Sequence, residues 1–195
     1  MSEAVRRLVS QLSLAGLNVA FVRGIQMLAR LIVCHWLFLA NSLAFTLIAL
    51  SFLAPCLMAL GATLPARVIY FGYRFVCHQM PSRSYFVFGY QMAICQRDLA
   101  IYTSILLAGL LFSLVRSRLE PLRWWLYLLL ATPMAFDGMS QFLGWRESNW
   151  QLRTFVGALF GIANVALVYP FIERGMQEAR ACLTQEPQRY GESGI

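Results

Sequence analysis

"LIVCHWLFLANSLAFTLIALSFLAPCLMALGATLPA", residues 31–66, contains no aspartate, glutamate, lysine or arginine. A helix needs about 20 predominantly apolar residues to cross the roughly 30 Å hydrocarbon core of a bilayer, so this stretch is ample for one span. The bulk composition agrees. Of 195 residues, 59% are hydrophobic and 13% are charged, with a mean hydropathy of +0.60; a soluble domain is nearer a quarter charged. Leu99 to Val115, Trp124 to Phe136 and Thr154 to Ile172 are further runs without Asp, Glu or Arg. The last fits a span as it stands. The run from Leu99 can borrow apolar turns before Asp98, and the run from Trp124 can continue through Asp137 to Trp145 if that carboxylate faces protein or water. These patterns predict an all-α polytopic membrane helix bundle with four transmembrane helices, near residues 37–60, 94–115, 124–144 and 153–172.

The flanks differ from this 31–175 transmembrane domain. In residues 1–30, Val5, Leu8, Val9 and Leu12 recur at helical spacing opposite Arg6, Arg7 and Gln11, which predicts an amphipathic interfacial helix. No short apolar core precedes Leu31, so the first span is expected to be a retained anchor rather than a cleaved signal. Residues 176–195 read as a polar C-terminal tail. The formal charge is +7, carried by arginines alone among the basic residues. They are scattered between uncharged runs, which argues for headgroup contacts with membrane lipids and against a nucleic-acid partner. Arg6, Arg7, Arg23, Arg30, Arg116, Arg118, Arg123, Arg174, Arg180 and Arg189 fall on one side of a four-span arrangement, outnumbering Arg67, Arg74, Arg83, Arg97, Arg146 and Arg153 on the other. The positive-inside rule then predicts a multi-pass protein of the cell membrane, of the bacterial inner-membrane type, with both termini cytoplasmic.

Four spans bring the loop at 61–94 and the loop from Trp145 to Leu152 to the same side. The first contains an expected helix, with Thr63 as cap and Pro65 in its first turn, presenting Arg67, Phe71, Arg74 and His78 on one face. After Pro81, Ser82 or Ser84 is expected to cap a second helix running to Val115, with Gln91, Cys95, Asp98 and Tyr102 in one stripe. Asp137, Ser140 and Gln141 share a face of the third span. Arg153, Gly157, Gly161 and Asn164 line one face of the fourth, where the two glycines read as a close-packing seam.

"CHQMPSRSYFVFGYQMAICQRDLAIY" (77–102) together with "DGMSQFLGWRESNWQLRTFVGALFG" (137–161) resembles a family of uncharacterised prokaryotic integral membrane proteins classed as a domain of unknown function. Its pattern runs CHQ, P-x-RS, a glycine and C-x-R, then DG-x-x-Q, R-x-S-N, an arginine and glycines. The resemblance covers about half the chain and implies no particular activity. It does imply that Cys77, His78, Gln79, Arg83, Ser84, Cys95, Arg97, Asp137, Gln141, Arg146, Ser148, Asn149 and Arg153 belong together. Other members often carry a further cysteine where this chain has Asp98.

Three chemistries suit these residues. Cys77, His78 and Cys95, with Asp98 or Asp137 as the carboxylate, form a ligand set that zinc or another divalent metal accepts, although the spacing is not a standard zinc signature. Cys77 and Cys95 could instead form a disulfide, either a plain staple or an exchangeable pair linked to a quinone. The arginines, with Asp137, make a catalytic candidate set of Asp137, Arg146, Arg153, Arg83 and Arg97. Such a set can hold a phosphate or carboxylate at the lipid boundary. Gln79, Ser84, Gln91, Gln141, Ser148 and Asn149 are the candidate substrate-binding side chains beside it. The expected ligand is a small molecule or lipid, preferably an anionic lipid-like substrate. Rival readings are a thiol oxidoreductase, a solute or lipid transporter, and a non-catalytic subunit with membrane-complex partners.

Overall fold

A computed structural model describes the backbone of residues 3–116 and 119–191 and the side chains of residues 21–116 and 119–182. Its elements in order are α1 (Glu3–Ala59), α2 (Thr63–Tyr73), a 3₁₀ turn (Pro81–Arg83), β1 (Ser84–Val87), β2 (Tyr90–Cys95), α3 (Gln96–Val115), α4 (Trp124–Phe142) and α5 (Trp150–Gly191). Among the described residues the fold is all-α with one small hairpin. Residues Phe21–Ala59 of α1, all of α3 and residues Trp150–Cys182 of α5 are long and apolar enough to cross a membrane. Leu107, Leu111, Leu114, Phe155 and Phe171 are exposed on the last two of these, as lipid-facing positions are. Helix α4 falls short of the same composition because Asp137, Ser140 and Gln141 lie in its last turns.

The chain divides into two units, Leu37–Glu173 and the segments before and after it. In the terminal unit, α1 departs from helical geometry at His35 (φ −116°, ψ 15°). Arg180 donates from Nη2 and Nε to the carbonyl of Val33, at 2.9 and 3.1 Å. A bend of this kind disturbs the helical hydrogen bonds around it, and a guanidinium with several donors can satisfy a carbonyl there. The amphipathic pattern expected from Val5 to Leu12 lies outside the residues with described side chains; the backbone is helical from Glu3 to the bend at His35.

In the larger unit, α3 and α5 run side by side in the same direction. An added Cβ at Gly157 would sit 2.7 Å from the Arg97 carbonyl, and one at Gly161 would sit 2.7 Å from the Ile101 carbonyl and 2.0 Å from Ser104 Oγ. Further along, Phe112 stacks edge-on against Tyr169 with centroids 5.7 Å apart, and Arg116 pairs with Glu173 at 2.6 Å. The glycines therefore form the expected seam, letting backbones touch where any side chain would hold them apart. Helix α4 runs antiparallel to both: Leu122 N donates to Ala166 O (3.1 Å) near its start, and Asp137 near its end meets Arg97. Residues 61–94 and 143–149 thus emerge at one end.

That end has its own core. Ala54 of α1, Tyr73 of α2, Cys77, and Ala93 and Ile94 of β2 are buried together, with Leu47, Leu50, Ile69, Leu99 and Tyr102 packed around them. The Tyr73 hydroxyl donates to Leu47 O of α1, anchoring α2 on the bundle. Burial pushes its pKa up to about 12.

Several local expectations in the motif loop are corrected. The segment after Pro81 is not the start of a helix. Ser84–Val87 and Tyr90–Cys95 pair antiparallel, joined by Phe88 (φ 52°) and Gly89 (φ 80°). Two consecutive positive φ values make a tight hairpin turn, and the flanking aromatic and β-branched residues suit strands. Gln91 and Cys95 therefore belong to β2 rather than to one helical stripe with Asp98 and Tyr102. The cap of α3 is Cys95, whose Sγ accepts from Asp98 N at 3.4 Å, not Ser82 or Ser84. Helix α2 ends at Tyr73, so His78 leaves the face carrying Arg67 and Phe71; Ala62, not Thr63, takes the N-cap position.

Candidate anion and thiol site

The hairpin and the bend after α2 carry the motif residues over the ends of α3, α4 and α5. A cavity of about 380 Å³ lies there, lined by Cys77, His78, Gln79, Arg83, Cys95, Arg97, Asp98, Gly138, Gln141 and Arg153, with Val76, Met80 and Phe142 at its apolar margin. This is within the volume range of small-molecule sites. Phe142, Val76 and Met80 are exposed, so an apolar rim borders a polar floor.

One wall is built on Asp137, which is 1% exposed. Its Oδ2 accepts from Arg97 Nη2 and from Gln141 Nε2 (2.8 Å), and its Oδ1 accepts from Arg146 Nη2 (2.9 Å). Arg146 also donates from Nε to Ser140 Oγ at 3.2 Å. The buried carboxylate is thereby held by two guanidiniums. Arg146 folds back onto Asp137 rather than pairing with the adjacent Glu147.

Arg153 lies deeper than either of these arginines. It is 6% exposed, and its donors reach only neutral acceptors: Ser82 O at 3.3 Å, Gln96 Oε1 at 3.4 Å and Gln141 Oε1 at 3.4 Å. Its Nε has no partner, and among the described residues no carboxylate lies within ion-pair distance of it. A buried charge without a counter-charge is costly unless something neutralises it. The first turns of α3 and α5 face the same end, so two helix dipoles add positive potential there.

The opposite wall holds the thiols. Cys77 is buried, and its Sγ accepts from Cys95 N at 3.3 Å. Cys77, Cys95 and Asp98 each offer one ligand atom within 4.8 Å of the others. Both cysteines are free thiols. A hydrogen bond from the Cys95 thiol holds Cys77 below the ordinary thiol pKa, whereas the same bond, burial and the Asp98 charge push Cys95 up. His78 stands on the cavity wall but is exposed, and its ring nitrogens are outside the ligand group.

The remaining candidates form the scaffold. Gln79, held at φ 52°, donates to Tyr70 O (2.7 Å) and accepts through its carbonyl from Gln91 Nε2 (2.7 Å). Gln91 also donates to Ser84 Oγ (3.0 Å), which donates to Met80 O (3.0 Å). These side chains tie the bend to the hairpin. Asn149 caps α5, its Oδ1 accepting from Leu152 N at 2.8 Å, and Ser148 is buried beside it; neither lines the cavity. Gln96 escaped the sequence reading, yet it is buried between Ser84 O (3.4 Å) and Arg153. A polar residue in the first turn of an otherwise apolar helix is the signal that could have found it.

A family model described as predicted membrane protein (DUF2085) matches residues 77–167. The uncharacterized protein MJ1492 of Methanocaldococcus jannaschii is 37% identical over 127 residues, covering 61% of this chain and 81% of that protein. This chain belongs to the DUF2085 family. An uncharacterized protein of Methanothermobacter thermautotrophicus is 33% identical over 95 residues, covering 49% of this chain and 86% of that one. No solved structure matches. The DUF2085 region takes in the hairpin, α3, α4 and the first part of α5, and every cavity-lining residue but Val76.

Proposed function

We propose that this DUF2085 protein binds an anionic ligand, a phosphate or carboxylate on an amphiphile or a free small molecule, in the cavity between its two motif loops. Arg153 carries the reading. A guanidinium this buried, with long bonds to neutral acceptors and a donor unused, is the partner of an anion that the chain itself does not supply. Arg83 and Arg97 line the same space and can add bidentate contacts. The apolar rim of Val76, Met80 and Phe142 favours a ligand with a hydrocarbon part over a bare oxyanion.

The ligand is met on the outer face of the membrane. If α3 and α5 both cross, their shared direction requires α4 to cross between them. Its 19 residues extend about 28 Å, close to the hydrocarbon thickness. With four crossings the arginine bias puts both termini in the cytoplasm and the cavity outside. A periplasm-active reporter fused after Glu120 should then stay silent, and a strong signal would invert this orientation.

Binding is tested on delipidated protein in uncharged detergent, by calorimetry with inorganic phosphate and with short-chain phosphatidic acid. Saturable binding of either, weakened at least tenfold in Arg153→Gln, is the expected result. Binding of the amphiphile alone assigns a lipid-borne group; equal binding of both assigns a free anion. Absence of binding, or binding that ignores Arg153→Gln, would overturn the proposal.

A further inference from the structure

The thiol wall of the cavity makes a second, separate claim. We infer that Cys77, Cys95 and Asp98 form a three-ligand site for a thiophilic divalent cation of the zinc class, with its open position toward the cavity. Three observations converge. Two sulfurs and one carboxylate oxygen lie within 4.8 Å of one another, drawn from the bend after α2, the end of β2 and the first turn of α3. Each sulfur accepts a backbone N–H, Cys95 N to Cys77 at 3.3 Å and Asp98 N to Cys95 at 3.4 Å. Such bonds favour thiolate and fix its direction, as supporting bonds around metal ligands do. All three residues line the cavity, so a cation among them would face whatever the cavity holds.

Two thiolates with one carboxylate suit zinc-class ions, and three protein ligands with one free position is the pattern of reactive rather than structural centres. Charge balance also permits it. A divalent ion entering as two thiol protons leave changes the net charge of the cavity by nothing. The demand of Arg153 for an anion is therefore unaffected, and the two sites can be tested apart.

The probe is the metal alone. Full-length protein in detergent is reduced, stripped with chelator and titrated with Co²⁺, then with Zn²⁺. One Co²⁺ per chain is expected, with a sulfur-to-cobalt charge-transfer band that zinc abolishes. Zinc should also protect two of the five cysteines from a thiol reagent. Cys77→Ser and Cys95→Ser should each lose the band, and Asp98→Asn should weaken Co²⁺ binding at least tenfold. His78→Ala and Arg153→Gln should retain full stoichiometry. Asp98→Asn keeps both thiols, so it tests the site even if a serine variant fails to fold. A band lost in His78→Ala would overturn the open position. No charge-transfer band in the reduced wild type, with two thiols returning to a stable disulfide on oxidation, would overturn the site and leave the anion proposal standing.

Discussion

Replacing Arg153 by methionine should leave the ligand-free protein as stable as the wild type, or more stable by up to about 2 kcal/mol. The side chain is 6% exposed, and its three hydrogen bonds are 3.3 to 3.4 Å long, beyond the usual N–H···O distance of about 2.9 Å. Each contributes little, and water entering the adjacent 380 Å³ cavity can take over the acceptors. Against that small loss stands relief from burying a guanidinium with no counter-charge, which is worth several kcal/mol. Methionine also retains an unbranched apolar stem like that of arginine, and the space of the guanidinium is left to water. For a chain of this size 1 kcal/mol moves the melting temperature by about 2–4 °C. Ligand should reverse the order. At one hundred times its Kd it stabilises the wild type by about 2.7 kcal/mol and the variant by far less. Paired melting curves in detergent, with and without phosphatidic acid, test this crossing. A ligand-free variant destabilised by more than about 3 kcal/mol, with an unchanged ligand shift, would refute the reasoning and make Arg153 a structural cation.

Asp137→Asn should do the opposite, destabilising by up to about 3 kcal/mol, because it removes the counter-charge of Arg97, which is 19% exposed, while Arg146, 41% exposed, can turn to solvent; chemical denaturation in detergent measures it. Gly161→Ala should destabilise by about 1–3 kcal/mol, since its Cβ would lie 2.7 Å from the Ile101 carbonyl. Gly175→Ala, with nothing within 4 Å of the new methyl, should stabilise by up to about 1 kcal/mol on the same melting assay. Tyr73, raised to about 12 by burial, favours the fold fully below the unfolded tyrosine value of about 10 and loses that contribution as pH rises through about 12. An ultraviolet titration of Tyr73→Phe should show one fewer late-ionising tyrosine than the wild type, with stability lowered by about 1 kcal/mol at neutral pH.

The apolar runs made the helices legible because lipid demands long, uncharged, helical segments and little else. Gly157 and Gly161 were legible for a related reason: four-residue spacing puts them on one face, where only backbone contact explains the missing side chains. The hairpin was not. "SYFVFGYQMAIC" is a short apolar stretch whose length fits strand or helix, and Phe-Gly stands where a turn signal such as Asn-Gly would have decided it. Arg97 with Asp137 follows from charge complementarity across two motif blocks, whereas Arg146 choosing Asp137 over its neighbour Glu147 depends on the turn after α4. The isolation of Arg153 is legible only in three dimensions. A sequence displays its charges but not which of them have already found partners.

The seam and the site are linked by position. The Arg97 carbonyl that touches Gly157 belongs to the residue whose guanidinium reaches Asp137, and Gly157 follows Arg153 by one turn of α5. Close approach of the two backbones is thus what brings Arg97 and Arg153 into one cavity, along with both helix N-termini. Two cations and two positive dipole ends drawn together would repel if nothing compensated them. Asp137 compensates one cation and shares itself with Arg146, so the remaining excess falls on Arg153. The packing that stabilises the α3–α5 pair therefore also concentrates an uncompensated positive charge at its end. An anion entering the cavity would relieve that charge without moving either helix.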